Sequence, residues 1–357
     1  MLVFYLLIFI TMIYFFQIIE HVRNNTMKKN NRVNIRDIAS ACDISISTVS
    51  RYFNNPGLLS EATRKKIEQK LTELNFQPGW SMQMPETHTT NLVIVVFPHL
   101  QFGFYTELLN QLIETGKEKG YHFIPYASGK SRKEELTAIQ ALCQYRPKGL
   151  ILLSPLLSAE DIAALPVPVI TIERSGGDFM QINSDNFTGG KLAAELLLEN
   201  SCEAFIHINN DYSTIWPSFK RIVGFECLME GQTYERIIRK ELSEPFMPPA
   251  TQAMKEIVEE LLLKYNGKKW GVFCSNDDIA RLFEQQCILR KLSIPDEVEI
   301  IGYDNSPISE CAIYPITSVA QNISLMARLA LDGFDNYIPC ETIVPNTLVR
   351  KLTTKSS

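Results

Sequence analysis

Residues 33 to 78 read VNIRDIASACDISISTVSRYFNNPGLLSEATRKKIEQKLTELNFQP, and cap and periodicity signals divide the stretch into three short helices. Asn34 followed by Asp37 is an N-cap with an acid at the third helical position, and Ile35, Ile38 and Ala39 supply the apolar stripe of the first helix. Asp43 and Ile44 make a turn. Ser45 then caps a second helix in which Val49 and Phe53, four apart, face inward, leaving Ile46, Ser47, Ser50 and Arg51 outward. Asn54, Asn55, Pro56 and Gly57 break the chain, and Ser60 with Thr63 opens a third helix carrying Ile67, Leu71 and Leu74 on one face. Two helices joined by a tight turn, the second presenting small polar residues and an arginine, match a helix-turn-helix that lays its second helix in a major groove. The hydroxyls and Asn54 suit phosphates, and Arg51 can reach a base edge. Periodicity alone would equally describe the solvated faces of a small bundle.

The whole chain, 357 residues with a net charge of -5, would argue against a nucleic-acid partner if the charge were evenly spread. It is not. Residues 27 to 80 carry nine Lys or Arg against five Asp or Glu, whereas residues 81 to 357 carry 25 against 34, so a small basic module precedes a large acidic one. The 45% apolar content places the chain among globular proteins of two or three domains rather than disordered or fibrous ones. Eight cysteines lie far apart, without a CxxC pair or neighbouring histidines, which signals reduced thiols and neither zinc nor a disulfide framework. No metal and no cofactor is expected.

The basic module resembles the DNA-binding headpiece of the lactose/galactose repressor family of bacterial transcription regulators. Ile35, Asp37, Ile38, Ala39, Ala41, Ser45, Thr48, Val49, Ser50, Arg51, Asn54, Ser60, Thr63, Arg64, Leu74, Asn75, Phe76 and Pro78 fit that family's pattern in register. The resemblance implies that Ile46, Ser47 and Arg51 read bases while Ser45, Thr48, Asn54, Ser60 and Thr63 hold phosphates; Ile35 and Ser50 complete the expected DNA-contacting set. Two departures stand out. The family's usual turn glycine is Asp43 here, and its hinge, usually P-N-x-x-A-R-x-L with the leucine wedged into the minor groove, reads PGWSMQMP over residues 78 to 85, with Pro85 in the wedge's place. Gly79 and Ser81 are weak helix formers, and a helical turn must end before Pro85. Met82 or Met84 is then the candidate wedge, or the operator is bent less than is usual.

Upstream, residues 1 to 19 are almost continuously apolar, interrupted only by Thr11 and Gln17, and long enough to span a hydrocarbon core of roughly 30 Å. Residues 1 to 26 therefore read either as a membrane segment, with Arg23, Lys28, Lys29 and Arg32 keeping the rest of the chain in the cytoplasm, or as upstream sequence translated ahead of a start at Met27. The second reading is favoured because Met27 stands directly before the basic stretch. Both leave the remainder cytoplasmic. The expected division is a leader over 1–26, a helix-turn-helix domain over 27–78, a hinge and linker over 79–91, and a two-lobed effector-binding and dimerisation domain over 92–353.

Beyond the polar linker, short apolar runs alternate with amphipathic stretches, the signature of a parallel sheet covered by helices. LVIVVF, HFIPYA, GLILLS, PVITIE, AFIHIN, WGVFCS and VEIIGY are the predicted strands, with helices near 104 to 119, 132 to 145, 186 to 199, 218 to 230, 250 to 265 and 278 to 291. That is too many strands for one doubly wound domain and predicts two α/β lobes with a cleft between them. The expected fold class is an all-α helix-turn-helix headpiece plus an α/β, periplasmic-binding-protein-like core of two doubly wound lobes. The same family supplies the strings: Ser184-Asp185-Asn186 with Gly189 and Gly190, Arg221 with Gly224 and Phe225, FCSNDDIA from Phe273, Gly302-Tyr303-Asp304, Thr317 to Gln321, and Leu348-Val349-Arg350.

Matched position by position, the resemblance implies that Phe104 and Tyr105 flank or stack on an effector while Arg221, Asn276, Asp304 and Gln321 hydrogen-bond it. The chemistry suits a neutral polyol, since carboxylate and amide oxygens accept hydroxyl protons, a guanidinium donates, and an aromatic face covers a sugar's apolar side. Each residue also has a plainer role: Asp304 could cap a loop, Asn276 with Asp277 could open a helix, and Phe104 or Tyr105 could be core. Trp216 and Phe246 lie in loops that could border the cleft, and His99 could line its mouth. The resemblance implies a homodimeric regulator on double-stranded DNA with a near-palindromic operator, controlled by a small molecule, with a sugar as the expected class and repression favoured over activation. The alternatives are a membrane-tethered or exported solute-binding protein and an enzyme, the latter disfavoured because no phosphate-cradling glycine loop, nucleophile elbow or histidine–carboxylate cluster is present.

Overall fold

A computed structural model describes residues 35–54, 56–74, 90–210, 213 and 216–355, and the chain divides into two compact units, Met1–His88 and Thr89–Ser357. The leader, the Asn34 cap, residues 75 to 78, and the hinge with Met82 and Met84 lie outside the described residues, as do the side chains of Ile35, Phe53 and Asn54. No described helix is long and apolar enough to cross a membrane.

The first unit is built from α1 (Ile35–Ala41), α2 (Ile46–Asn54) and α3 (Glu61–Glu73), with a short 3-10 turn at Pro56–Leu58. Ile38, Val49 and Ile67, one from each helix, are fully buried together with Ala39 and Cys42, and Leu71 and Leu74 pack against them. Each large aliphatic buried here contributes roughly 1.5–3 kcal/mol. The chain leaves α1 through Asp43 at φ 48, and the Ile44 N–H donates to the Ala39 carbonyl at 3.0 Å. This is a left-handed C-terminal cap, which explains why a glycine is usual there and why an Asp, one of the side chains most tolerant of that region, can replace it. Ser45 and Ser60 cap the next two helices, their Oγ atoms accepting the N–H of Thr48 at 3.1 Å and of Thr63 at 3.2 Å.

In the second unit the elements run β1 (Leu92–Phe97), α4 (Gly103–Lys117), β2 (His122–Ala127), α5 (Arg132–Cys143), β3 (Gly149–Leu152), α6 (Ala159–Ala163), β4 (Val169–Ile172), β5 (Met180–Ser184), α7 (Asn186–Glu199), β6 (Ala204–Asn209), α8 (Phe219–Glu226) and β7 (Tyr234–Ile238). A 3-10 turn at Lys240–Ser243 leads to α9 (Pro248–Lys264), β8 (Trp270–Cys274), α10 (Asp277–Leu289), β9 (Val298–Asp304), α11 (Pro307–Cys311), β10 (Thr317–Ala320), α12 (Ile323–Gly333), β11 (Glu341–Val344) and β12 (Thr347–Val349). Two six-stranded sheets result, in the orders β11-β5-β4-β3-β1-β2 and β12-β10-β9-β8-β6-β7; only the β10–β12 pairing is antiparallel. The chain passes from one sheet to the other at 184–186, 320–323 and 344–347.

All seven predicted strands are present. Five more, β5, β7, β10, β11 and β12, were not expected as strands: Met180–Ser184 interleaves polar residues because its neighbours cover both faces, and Tyr234–Ile238 is a half-buried edge. The expected helices also form, with ends shifted by a few residues, and α6, α11 and α12 add to them. α12 follows the second lobe in sequence but packs on the first, where Met326, Ala327 and Ala330 meet Leu108 and Leu112 of α4 beneath Val93 and Val95.

In doubly wound sheets ligands settle outside the carboxyl ends of the strands, where neighbouring strands send their connections in opposite directions. In the first lobe that point lies between β1 and β3, and in the second between β6 and β8. The residues just past these strand ends form the walls of a cleft between the lobes.

Candidate functional site

In the first unit, α2 presents a polar face. Ser45, Ser47 and Arg51 are exposed and Ile46 is 50% exposed, while Thr48 and Ser50 are half-buried. The Ser45 hydroxyl lies 2.7 Å from that of Ser47 and 2.8 Å from that of Thr48, and the Ser60 hydroxyl lies 2.8 Å from that of Thr63. The cap serines thus sit at helix amino ends, where N–H groups and the helix dipole favour negative charge. Arg51 extends from the exposed side of α2, whereas Val49 anchors the opposite face of the helix in the core.

In the second unit, a cleft of about 550 Å³ opens between the two lobes. Pro98, His99 and Phe102 line it after β1, Leu153 after β3, Glu173 after β4, Asn209 at the end of β6 and Asn210 just past it, Ser275 and Asn276 after β8, and Asp304 at the end of β9. Phe104, Tyr105 and Arg221, expected from the sequence, line it as well, as do His99 and Trp216. Phe246 is not among the lining residues; it is 49% exposed, with the Arg281 guanidinium 5.5 Å from its ring centre.

Gln321 also departs from expectation. It is not among the residues lining the cleft; its Nε2 donates to Asp304 Oδ1 at 2.7 Å, so it orients the carboxylate from behind. Asn276 lines the cleft while its Oδ1 accepts the Ile279 N–H at 2.9 Å to cap α10. Phe104 likewise belongs to the hydrophobic core of the first lobe and to the cleft wall.

Arg221 is the hub. Its Nε donates to Asn186 Oδ1 at 2.6 Å and its Nη1 to the Ser275 carbonyl at 2.7 Å; its guanidinium lies 3.5 Å over the Tyr303 ring. Asp304 stands 3.7 Å away on one side and Glu173 3.8 Å away on the other. Burial pushes both carboxyls above the ordinary range, and the guanidinium between them opposes the rise. A cation held between two desolvated carboxyls leaves acceptors on either side of a fixed donor fork, an arrangement that reads hydroxyls rather than an anion.

Helix α8 places Arg221 because it packs against α7 without side chains between them. A Cβ on Gly190 would meet the Arg221 carbonyl oxygen at 2.1 Å, and one on Gly224 would meet the Phe187 carbonyl oxygen at 2.0 Å. These two glycines let the backbones touch and fix where the guanidinium emerges.

The aromatic wall is equally constrained. His99 meets Phe102 edge-on at 4.5 Å and Tyr105 at 5.2 Å, and its Nδ1 accepts the Gln101 N–H at 3.3 Å. Burial lowers the His99 pKa and raises that of the Tyr105 phenol. Glu173 was not singled out in the sequence. It ends the predicted strand PVITIE, and its place at the carboxyl end of a parallel strand was the available signal.

A protein-family model described as bacterial regulatory proteins, lacI family, matches residues 34–79, and one described as a periplasmic binding protein-like domain matches residues 194–355. The ribose operon repressor of Halalkalibacterium halodurans is 27% identical over 329 residues, covering 90% of this chain and 97% of that protein. The sucrose operon repressor of Streptococcus mutans is 29% identical over 308 residues, covering 84% and 90%. Among solved structures, the lac repressor dimer bound to operator and the anti-inducer ONPF superposes with a TM-score of 0.67 at 20% identity, covering 91% of this chain and all of that one, which speaks to the fold. With a lacI-type helix-turn-helix at its head, a periplasmic-binding-protein-like core behind it, and repressors aligned across both, the chain belongs to the lacI family of bacterial regulatory proteins.

Proposed function

We propose that the protein is a repressor of transcription that binds a near-palindromic operator as a homodimer in the cytoplasm, and whose operator affinity is set by a sugar held between the lobes of its core. The observation that carries the reading is the cleft: Arg221 fixed between the buried carboxyls of Asp304 and Glu173, facing an aromatic wall, in the same chain as a helix whose outward face carries hydroxyls and Arg51. Phe104, Tyr105, Arg221, Asn276, Asp304 and Glu173 contact the sugar, and Gln321 acts on it through Asp304. On DNA, Arg51 and Ser47 take base edges, the half-exposed Ile46 suits a thymine methyl, and Ser45, Thr48, Ser60 and Thr63 take phosphates. A sugar changes operator affinity only by as much as it prefers one arrangement of the core over another, and it need undergo no reaction there. An exported solute-binding protein would have no use for the helix-turn-helix.

The test is selection of bound duplexes from a random pool by the full-length protein, with and without ribose, sucrose and other candidate sugars. A near-palindromic consensus whose enrichment changes with one sugar is expected. Arg51→Ala should weaken consensus binding by roughly 10- to 100-fold, about 1–3 kcal/mol, without changing sugar affinity. Absence of any sequence preference at moderate salt, with every sugar tried, would refute the reading.

A further inference from the structure

We propose that Tyr303 is a positioning residue that couples occupancy of the sugar cleft to the crossovers joining the lobes, through the contact of its ring with Arg221 and the bonds of its hydroxyl to two of those crossovers. The proposal rests on the sugar reading for what fills the cleft; the contacts themselves do not depend on it. Tyr303 is fully buried near the end of β9, and the Arg221 guanidinium lies 3.5 Å over its ring. Its hydroxyl donates to Asn186 Oδ1 at 3.3 Å and accepts from Asn346 Nδ2 at 2.6 Å. Asn186 belongs to the crossover at 184–186 and Asn346 to the one at 344–347, so one phenol oxygen bonds to two of the three segments by which the chain passes between the sheets.

The two crossovers are also tied to each other. Ser184 Oγ donates to Asn346 Oδ1 at 2.6 Å, Asn346 Nδ2 donates a second time to the Asp185 carbonyl at 2.9 Å, and the Asp185 N–H donates to the Val344 carbonyl at 2.9 Å. A Cβ on Gly189 would meet the phenol oxygen at 2.6 Å and Asn346 Nδ2 at 3.0 Å, so a glycine one position into this turn of α7 is what admits the clasp. The sugar site reaches the same place by a second route. Asn186 Oδ1 accepts Arg221 Nε at 2.6 Å, while its Nδ2 donates to Glu173 Oε2 at 3.0 Å. Arg221 and Glu173, which face the sugar, therefore share Asn186 with the crossover.

A rotation of one lobe against the other is absorbed by the backbone dihedrals of the crossovers, so it must lengthen or rearrange the bonds of Asn346 and Asn186. Of the N–H groups of Arg221, one is given to Asn186 and one to the Ser275 carbonyl, and the carboxyls at 3.7 and 3.8 Å stand too far off to take the others in hydrogen bonds. Sugar hydroxyls that take them displace the guanidinium, and a close-packed interior passes that displacement to the ring beneath it. A phenylalanine ring would fill the same space and meet the guanidinium equally well. What the hydroxyl adds is the connection to the crossovers, and a residue kept for packing alone would not need it.

Tyr303→Phe tests this without orphaning either partner, because Asn186 Oδ1 keeps Arg221 Nε and Asn346 Nδ2 keeps the Asp185 carbonyl. The control is Tyr265→Phe, which loses a buried hydroxyl's bond to Glu235 at 2.9 Å, away from the crossovers. The first measurement is hydrogen exchange of the full-length protein without any sugar. Peptides spanning 184–186 and 344–347 should exchange about five-fold faster or more in Tyr303→Phe and at the unaltered rate in Tyr265→Phe. The second is operator affinity on the selected consensus duplex, with and without ribose and, separately, sucrose. The wild-type ratio for the sugar that acts is expected in the range of about 5- to 150-fold. In Tyr303→Phe it should shrink by about three-fold or more, with sugar affinity in the absence of DNA changing by less than that factor. Asn346→Ala breaks the same clasp from its half-buried side and serves should Tyr303→Phe fail to fold. If neither sugar moves wild-type operator binding, the sugar reading fails and the exchange measurement alone decides the clasp. Unchanged exchange at the crossovers, or a wild-type response retained in full by a folded Tyr303→Phe variant, overturns the proposal.

Discussion

Asp278 in the first turn of α10 is 1% exposed, and its Oδ2 accepts the N–H of Gly103 in the opposite lobe at 3.3 Å, while its Oδ1 has no partner. Burial pushes its carboxyl from the ordinary 3.8 up to about 6, against the pull of the Gly103 N–H and of Arg281. A folded-state pKa above the unfolded one means that the folded core keeps a proton the unfolded chain has already lost. Its contribution is therefore favourable at acid pH, and stability falls as pH rises from the unfolded value through about 6. At about 1.4 kcal/mol per pH unit the buried charge costs the core up to about 3 kcal/mol near neutrality. Asp278→Asn keeps the shape and the acceptor but removes the charge. It should stabilise the core by about 1–3 kcal/mol at about pH 7.5, the lower figure allowing for a weaker neutral hydrogen bond, and by little at about pH 4. In a domain of this size that is roughly 2–4 °C in Tm per kcal/mol. Paired urea titrations at the two pH values, following the core transition, measure it. A variant destabilised near neutrality, or a difference that does not change with pH, would refute the reasoning. Because the bond joins the two lobes, the substitution should also reduce the pH dependence of sugar affinity.

Arg221→Met should lower core stability by about 3–5 kcal/mol and abolish sugar binding, because it leaves Asp304 and Glu173 buried without their cation; melting curves and calorimetry check both, and intact sugar binding would contradict the assigned hub. Gly190→Ala drives a methyl to within 2.1 Å of the Arg221 carbonyl oxygen, so α8 must shift: a loss of about 1–3 kcal/mol is expected together with a sugar affinity reduced more than that of a control substitution on the exposed face of α7. Unchanged sugar affinity would show that the close packing of α7 and α8 does not position the guanidinium.

What could be read in the sequence followed the strength of the local signal. The described part of the first unit was legible because its second and third helices begin at side chains that perform the cap, Ser45 and Ser60, and each of the three carries an aliphatic residue that must be buried. The central strands were legible for the opposite reason: strands buried on both faces are continuous apolar runs. β11 and β12 were not, because at four and three residues in partly exposed edge positions they have neither period nor hydrophobicity, and only their pairing to β5 and β10 makes them strands.

The same contrast explains the site. Arg221 and Asp304 could be marked from the sequence because each stands in a recognisable string, but the partners that define their chemistry lie far away in the chain. Glu173 reaches Arg221 across 48 positions, from the other lobe, and Gln321 reaches Asp304 from a crossover segment. Gln321 carries the sharper lesson. A residue type and a matched position suggested a sugar ligand, yet burial and the direction of its Nε2 turn it towards the carboxylate and leave its Oε1 buried and unpaired. A contact with the effector and a contact with a contact are indistinguishable in sequence, since both constrain the same amide; they differ only in which oxygen or nitrogen is left over, and that is a property of three-dimensional packing.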